Sequence, residues 1–363
     1  MAAANYELKL GAATREAFGK ALAELGRENP NIVVGDADLT KSTMTTYFAK
    51  EFPGRLFECG IAEANMVAIG AGLALSGRSH GMSIHLSCGA LGIKASQSEA
   101  IEYAARYGFD SVDADGRFLG DLPPADLARL RDNMRAKNVG WAMAGFPTEF
   151  RKDDAAFRES LKALPAFAAG LERAGVKRVT TWISPNSDDL AYADNLRTHA
   201  RRLREAAVIL EDHVIRFGLE YVGPKTSWST KRFPFVHTMA EMKELIAAID
   251  RPNVGFVLDS WHWYTAGETK KDLLALRANQ VVSVDLNDAP AGIPVDQQMD
   301  GKRELPAATG VIDAASFLGA LQAIGYDGPV RAEPFNDAVR KMPPAEALAA
   351  TKAAIEKAFA QVA

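Results

Sequence analysis

The stretch VGFVLDSWHWY at 254–264 decides the fold of this 363-residue chain. Five apolar or small residues lead without interruption to Asp259, and an aromatic run follows directly. A continuous apolar run of this kind is typical of a strand buried on both faces of a parallel sheet. The runs VIRFGLE at 214–220, QVVSVD at 280–285 and GPVRAE at 328–333 have the same form, and each ends in a carboxylate. The second half of the chain therefore predicts four consecutive parallel strands.

An alternation of strand-like and helix-like segments extends from Met82 to the C-terminus. Further β-rich runs precede those above, at 82–86, 110–114, 139–144 and 178–183. Amphipathic helical stretches separate the strands, at 95–107, 125–137, 154–174, 189–212, 238–250, 313–324 and 344–360, with a short one near 268–277. Because each parallel strand needs a crossover helix, eight such units predict an α/β fold, a (β/α)₈ TIM barrel. An open doubly wound sheet is the alternative, but eight near-even units favour closure.

Composition and charge restrict the classes of partner. The formal net charge of −4 gives no electrostatic footprint for nucleic acid or for an anionic membrane. No stretch approaches the roughly 20 apolar residues of a membrane span, and the N-terminus lacks the apolar segment of a signal peptide. The two cysteines, Cys59 and Cys88, have no spacing that suggests zinc. These features predict a cytoplasmic protein with a small-molecule ligand.

Acidic residues end the last four predicted strands: Glu220, Asp259, Asp285 and Glu333. A single carboxylate at such a place can cap a helix or pair with a surface lysine. In a closed barrel, however, four of them converge at the carboxyl ends of the strands, where mutual repulsion calls for a cation. Oxygen-only ligands favour a hard divalent ion, so we expect Mn²⁺, Mg²⁺ or Co²⁺ rather than Zn²⁺.

Two histidines are candidates for contact with the substrate. His262 lies three residues after Asp259 in the same loop, so the carboxylate can bind a metal while the imidazole binds the substrate. Packing between Trp261 and Trp263 is the structural alternative for this histidine. His85, near the end of the first predicted strand, is equally open to a role in the site or in packing.

Long loops follow the fifth and seventh predicted strands, at 221–237 and 286–312. Both lie on the face where barrel enzymes place their sites, and we expect them to be lids or substrate clamps. The first contains Lys225, which with Lys231 and Arg232 can bind a phosphate or form a solvated face.

The aromatic side chains of Trp182, Trp261, Trp263 and Phe146 are candidates for excluding water from the site and stacking on a sugar ring, with packing at the barrel rim as the alternative.

Residues from about 82 to 363 resemble the xylose-isomerase-like barrel superfamily of sugar isomerases and epimerases. The resemblance rests on GLEYVGP, VGFVLDSWHWY, VVSVDLNDAP, RELPAATGVID and VRAEPFN. It implies that Glu220 and Glu333 bind metal and move protons, that Asp259 is a metal ligand, and that His262 and Arg303 contact the substrate. The implied reaction is isomerisation or epimerisation of a sugar or sugar phosphate by proton transfer through an enediolate.

One position departs from the family pattern. The seventh strand usually supplies a histidine ligand, whereas this chain has Asp285 there, which makes the site more anionic and leaves open the metal and the substrate. Two alternatives remain open. The same barrel and metal could serve a lyase that dehydrates a keto-sugar or keto-cyclitol, or the chain could be a non-catalytic binding module.

The N-terminal segment has a different character, and its sequence predicts helices at 14–28, around 41–51 and at 62–75. Residues 14–78 resemble part of a transketolase pyrimidine-binding domain through TREAFGKALAEL, NIVVGDADLTKST and ECGIAEANMVAIGAGLALSG. Glu63 matches the glutamate that protonates the thiamine ring in that family. The diphosphate-binding part is missing, so we do not expect thiamine diphosphate as a cofactor.

We predict a boundary between a partial transketolase-like segment at 1–78 and a barrel at 79–363. A homo-oligomer is compatible with the sequence, which does not set a number of subunits.

Overall fold

The computed structural model describes residues 13–28, 32–67 and 81–362. The chain divides into two compact units, Met1–Ser79 and His80–Ala363. Among the described residues, no helix is long and apolar enough to cross a membrane.

The second unit contains eight parallel strands, each close to a predicted run. They are β1 (Ser83–Leu86), β2 (Ser111–Val112), β3 in two pieces (Gly140–Trp141 and Ala144–Gly145), β4 (Arg178–Trp182), β5 (Arg216–Glu220), β6 (Val254–Asp259), β7 (Val281–Asp285) and β8 (Pro329–Arg331). β6 and β7 are buried at every residue, as their continuous apolar sequences predict.

The third strand closes the sheet because its two pieces pair, both in parallel, with neighbours on opposite sides. Gly140–Trp141 pairs with β2, whereas Ala144–Gly145 pairs with β4. Around the rest of the ring, β2 pairs with β1, β1 with β8, and so on through β7, β6, β5 and β4. The predicted barrel is thereby confirmed.

Helices connect the strands and cover the outside of the barrel. Their bounds are Gln97–Tyr107, Gly116–Asp121, Pro124–Ala136, Asp154–Leu161, Leu164–Ala174, Tyr192–Asp212, Lys225–Trp228, Met239–Ile249, Ser260–Thr265, Lys270–Leu274, Ala314–Ala323, Asp337–Lys341 and Pro344–Phe359. The predicted single helix at 154–174 is in fact two helices. Pro165 explains the break, because it lacks the N–H that would donate to the carbonyl of Leu161.

The long loops are held by specific contacts. Both carboxylate oxygens of Asp288 accept hydrogen bonds from backbone amides, among them Thr309 and Gly310 at 2.8 and 2.7 Å. This closes the loop at 286–312 onto the end of β7. In the loop after β5, Phe233–Pro234 pairs with Asn186–Ser187 in a short antiparallel sheet. The loops therefore form a fixed rim on the carboxyl side of the barrel.

The first unit contains a small parallel sheet in which Val34–Asp36 pairs with Leu56–Glu58. The helix Thr14–Glu28 follows its predicted bounds. The predicted helix around 41–51 is divided into Thr40–Thr43 and Thr46–Glu51, because Met44 adopts a left-handed conformation with φ 61°. Residues 63–67 are helical, and the remainder of the helix predicted at 62–75 lies outside the described residues.

Candidate active site

Four carboxylates converge at the carboxyl end of the barrel. Glu220, Asp259 and Asp285 end β5, β6 and β7, and Asp259 pairs directly with Asp285 in the sheet register. Glu333 lies two residues beyond the end of β8, so the predicted strand at 328–333 is too long by two residues. One oxygen from each of the four lies within 4.8 Å of the others. The parallel register thus brings the four predicted residues together.

A buried arginine pairs with the carboxylate of β6. Arg303, only 2% exposed, donates from Nη1 to Asp259 Oδ2 at 2.7 Å and, more weakly, to Glu333 Oε2 at 3.4 Å. Its Nη2 donates to Asp300 Oδ1 at 2.7 Å. Burial opposes ionisation of Asp300, but the charge of Arg303, the neighbouring His262 and the hydrogen bond from Arg303 together lower the pKa of this carboxyl.

A second arginine, absent from the sequence prediction, pairs with the carboxylate of β7. Arg331 donates from Nε and Nη2 to the two oxygens of Asp285 at 2.7 and 2.8 Å. Its Nη2 also donates to Glu333 Oε1 at 3.1 Å. A two-residue spacing places Arg331 and Glu333 on the same face of an extended chain, and this spacing was the signal that could have revealed the arginine.

Asn287 connects the carboxylate of Asp259 with the backbone at Glu333. Its Nδ2 donates to Asp259 Oδ1 at 3.0 Å, and its Oδ1 accepts from the backbone amide of Glu333 at 2.9 Å. The amide of Trp261 donates to the same Asp259 oxygen at 2.8 Å. These bonds fix the orientation of Asp259 and position the backbone at Glu333.

His262 presents an N–H group to the cluster. Its Nδ1 accepts a hydrogen bond from the amide of Gly223 at 3.2 Å. Burial lowers the pKa of His262 to about 3, so the ring is neutral at pH 7. A neutral ring accepts at one nitrogen only, and since the contact from Gly223 is shorter than that of Arg303 Nη2, which lies 3.4 Å from Nε2, we assign the proton to Nε2. That nitrogen lies 3.7 Å from Glu220 Oε1 and 3.8 Å from Asp259 Oδ2.

Glu220, Asp259 and Glu333 resist ionisation. Burial, followed by repulsion from Asp285 and Glu333, raises the pKa of Glu220 well above its ordinary value. Burial also raises the pKa of Glu333 to about 7, although Arg331 opposes the shift. Burial raises the pKa of Asp259 to about 6, although the positive charge of Arg303 acts in the opposite direction. The two arginines therefore compensate only part of the negative charge.

Two members of the cluster, Glu220 and Glu333, line a cavity of about 800 Å³, whereas Asp259 and Asp285 are not part of its described wall. Polar and charged side chains from the loops and strand ends form its wall: Trp182, Asn186, Glu220, Thr226, Lys231, His262, Asp300, Arg303, Arg331 and Glu333. The side chain of Trp182 is 47% exposed, and the guanidinium of Arg151 lies 4.2 Å from the centre of its ring. The loops at 221–237 and 286–312 both contribute to this wall.

Two other residues that the sequence predicts to contact the substrate, His85 and Lys225, lie outside the described cavity wall. His85 Nε2 is 2.9 Å from Asp113 Oδ1, and the described cavity wall omits this histidine. Lys225 pairs with Asp296 at 2.8 Å on the surface, while Lys231 of the same loop reaches the wall.

Three of the four aromatic candidates are packing residues. Trp261 and Trp263 are buried in the core, and the ring of Phe146 lies 4.6 Å from that of Phe217. None of these three belongs to the described cavity wall. Trp182 alone of the four faces the cavity.

The donor set fits a divalent metal ion. Glu220 Oε1 is buried and has no hydrogen-bond partner among the described residues, which is costly for a carboxylate unless a cation lies beside it. Oxygen atoms from Asp259, Asp285 and Glu333 lie within 4.8 Å of it and of one another. A cation at this point would also relieve the repulsion that raises the pKa of Glu220.

A comparison with known protein families agrees with the barrel fold. The family described as the xylose isomerase-like TIM barrel matches residues 101–358. The chain belongs to this family. A crystal structure of a xylose isomerase domain protein from Alicyclobacillus acidocaldarius is 31% identical, with a TM-score of 0.68 over 77% of this chain and 99% of that one. The barrel is thus that of a xylose isomerase-like protein.

More distant relatives within this fold include isomerases and epimerases. An inosose isomerase from Bacillus velezensis is 24% identical over 262 residues, which cover 70% of this chain and 89% of that protein. The IolI protein, crystallised with a zinc atom, has a TM-score of 0.66 at 20% identity over 78% of this chain and 99% of that one. A D-psicose 3-epimerase has a TM-score of 0.60 at 15% identity, over 77% of this chain and 99% of that one. The last two likenesses show the fold alone.

The N-terminal segment matches a different family. The transketolase pyrimidine-binding domain matches residues 11–84. A putative transketolase C-terminal section from Methanocaldococcus jannaschii is 53% identical over 64 residues. The chain spans only 20% of that protein and 12% of the mouse transketolase-like protein 2. The match confirms the resemblance of this segment to a part of that domain.

Proposed function

We propose that this protein is a divalent-metal-dependent sugar or sugar phosphate isomerase or epimerase that works by proton transfer next to a carbonyl group. The observation that carries the proposal is the pair of buried glutamates, Glu220 and Glu333, that line one cavity. They come from β5 and from the end of β8, on either side of β6 and β7 in the sheet. The isomerase and epimerase names of related proteins support the reaction class.

The two glutamates can act as base and acid. A raised pKa, about 7 for Glu333, allows a carboxyl group to gain and lose a proton near neutral pH. In the proposed reaction, one glutamate removes the proton from the carbon beside the carbonyl. The C–H electron pair moves into the carbonyl group and gives an enediolate. The other glutamate returns a proton to the opposite face, which gives an epimer, or to the adjacent carbon, which gives an isomer.

Neighbouring residues would orient the substrate and stabilise its charge. The Nε2–H of His262 is directed at the cluster and can donate to a substrate oxygen. Arg303 presents a fixed cation in the same cavity, held by Asp259 and Asp300. Trp182 offers an apolar surface at the wall. The cavity of about 800 Å³ accommodates a sugar together with a substituent.

Glu220, Asp259 and Glu333, with Asp285 beside them, are the residues that would hold the metal. When bound, a divalent ion would polarise the carbonyl and the adjacent hydroxyl, which lowers the cost of removing the C–H proton. The oxygen donors favour Mn²⁺, Mg²⁺ or Co²⁺.

Metal analysis tests the first part of the proposal. We expect the purified protein to contain about one divalent ion per chain after dialysis against Mn²⁺. Asp259→Asn removes a charge at the centre of the cluster and should release the ion. Elemental analysis and Mn²⁺ titration provide the measurements. A protein that binds no divalent ion and whose activity is indifferent to EDTA would contradict metal dependence.

Isotope exchange tests the reaction. A panel of ketoses and ketose phosphates is incubated with the protein and Mn²⁺ in D₂O, and the products are followed by NMR and mass spectrometry. Deuterium at a carbon beside the carbonyl, without loss of water, is the expected result. A new enone or diketone would instead identify a lyase. No exchange with any member of the panel would count against an isomerase for these sugars.

A further inference from the structure

We infer that Asp285 is a positioning residue for Arg331 rather than a fourth metal ligand, and that Arg331 supplies a fixed hydrogen-bond donor to the substrate at this point of the cavity. The inference rests on the proposed function, because it concerns the same site. It assigns to two residues a role that the family pattern, with a histidine ligand at the end of β7, does not include.

Asp285 has no oxygen free of the arginine. Its Oδ1 accepts from Arg331 Nε at 2.7 Å, and its Oδ2 accepts from Nη2 at 2.8 Å. A bidentate pair of this kind is among the strongest side-chain contacts, because two parallel N–H groups match the two oxygens. Since the Asp285 side chain is fully buried, the pair is also shielded from competing water.

The arginine reaches the cavity, whereas its carboxylate partner does not. Arg331 and Glu333 both belong to the described wall of the cavity, and the two aspartates, Asp259 and Asp285, do not. A metal ion that reached Asp285 would have to displace the guanidinium from it or lie against a positive charge. Either arrangement costs energy in a buried site, where charges interact strongly.

Glu220 provides the contrast. Its Oε1 has no hydrogen-bond partner among the described residues, and the neutral ring of His262 lies 3.7 Å away. Glu220 is therefore free to bind a cation, whereas both oxygens of Asp285 accept from Arg331. Asp259 also pairs with an arginine, but through Oδ2 alone, and its Oδ1 accepts only from neutral groups. The proposed ligand set is then Glu220, Asp259 and Glu333.

Arg331 retains hydrogen-bonding capacity. A guanidinium has five N–H donors, and the contacts described above use Nε and Nη2. Nη1 has no partner among the described residues, and it is not one of the buried unpartnered atoms. Its two N–H groups are thus available on the cavity side, beside Glu333, for a hydroxyl or carbonyl oxygen of the substrate.

Mn²⁺ titration separates the two roles of Asp285. The double variant Asp285→Asn with Arg331→Gln removes one negative and one positive charge, so the net charge of the site is unchanged. We expect its Kd for Mn²⁺ to stay within about threefold of the original chain, while the control Asp259→Asn weakens binding at least about tenfold. A double variant that loses Mn²⁺ as completely as Asp259→Asn would show that Asp285 is a ligand and overturn the inference.

A second measurement does not need the double variant. A buried, paired Arg331 should give a slowly exchanging Nε–H signal in ¹H–¹⁵N NMR, identified by its loss in Arg331→Lys. We expect this signal in metal-free protein, its persistence at saturating Mg²⁺, and its loss in Asp285→Asn. Loss of the signal on addition of Mg²⁺ would overturn the inference. Failure to bind any metal would contradict only the proposed function, because the effect of Asp285→Asn still tests the pair.

Kinetics tests the contact with the substrate. With the ketose that exchanges deuterium, Arg331→Gln in the double variant should raise KM about tenfold while Mn²⁺ affinity is retained. An unchanged KM and kcat would show that Arg331 has a structural role only.

Discussion

The two halves of the barrel differ sharply at their carboxyl ends. The strands β5 to β8 end in charged residues, namely Glu220, Asp259, Asp285 and Arg331. The strands β1 to β4 end in neutral ones, namely Leu86, Val112, Gly145 and Trp182. Both halves contribute to one cavity: Gly145 and Trp182 come from the neutral half, and Glu220, Arg331 and Glu333 come from the charged half. In the proposed reaction, the reacting carbon therefore faces β5 to β8, and the remainder of the sugar faces Trp182.

The difference also shows how a barrel tolerates buried charge. Arg303 pairs most closely with Asp259, and Arg331 with Asp285, while Glu333 has longer contacts with both arginines, at 3.4 and 3.1 Å, and Glu220 pairs with neither. An ionised group with a weak partner or none is expensive in a buried site, so the two glutamates have raised pKa values. The residues with the least electrostatic compensation are those to which the proposal assigns the proton transfers.

The largest expected effect tests the charged half directly. Glu333→Gln keeps the size of the side chain but cannot exchange a proton, so deuterium exchange should fall about 10³-fold, with a smaller change in KM. The measurement is kcat and KM for exchange in D₂O. Glu346→Gln, at an exposed position, is the control and should leave both unchanged. Exchange in Glu333→Gln at more than a tenth of the original rate would remove this glutamate from the proton transfer.

The next prediction compares one histidine from each half. His262→Gln removes the N–H beside Glu220 and should lower kcat/KM about 100-fold. His85→Gln changes a residue that faces Asp113, outside the described cavity wall, and should alter kcat/KM less than about threefold. Equal losses in the two variants, with unchanged thermal stability, would mean that the neutral half also takes part in the chemistry.

The smallest effect concerns a buried carboxyl outside the cluster. Burial raises the pKa of Glu268 to about 7, while its carboxylate accepts from the Tyr221 hydroxyl and from the amide of Met239. Because the folded protein favours the protonated form, this stabilisation is complete below the ordinary pKa of 4.5. It is lost as the pH rises through about 7.

Urea denaturation between pH 4.5 and pH 8 measures this loss, for which we expect about 2 kcal/mol in the free energy of unfolding. In Glu268→Gln the pH dependence should be weaker by that amount, whereas Glu346→Gln should retain it. An identical pH profile in Glu268→Gln and in the original chain would assign the dependence to other groups.

Much of the site could be predicted from the sequence, because the end of a strand is determined by neighbouring residues. Five apolar or small residues before Asp259 predict a buried strand and the place where it stops. The same reasoning applies to Glu220 and Asp285, and the closed parallel sheet brings their oxygens together. Glu333 was also predicted correctly as a member of the cluster, although its strand ends two residues earlier.

The partners of these carboxylates could not be predicted in the same way. Arg303 and Asp259 are 44 residues apart, and Arg331 and Asp285 are 46 apart, so no local pattern joins them. Trp261 and Trp263 stand beside His262 in the sequence, yet they pack into the core. The direction of each of these side chains depends on the barrel around it.

The sequence by itself determined the eight β/α units and the carboxylates at the carboxyl ends of the last four strands. It also determined the separate character of the N-terminal segment. These features follow from apolar runs, strand period and motif, all of which are properties of neighbouring residues. Only the tertiary structure decided which carboxylates are neutralised and which remain free. That choice depends on the register between strands, which placed Arg331 opposite Asp285 and left Glu220 without a partner among the described residues.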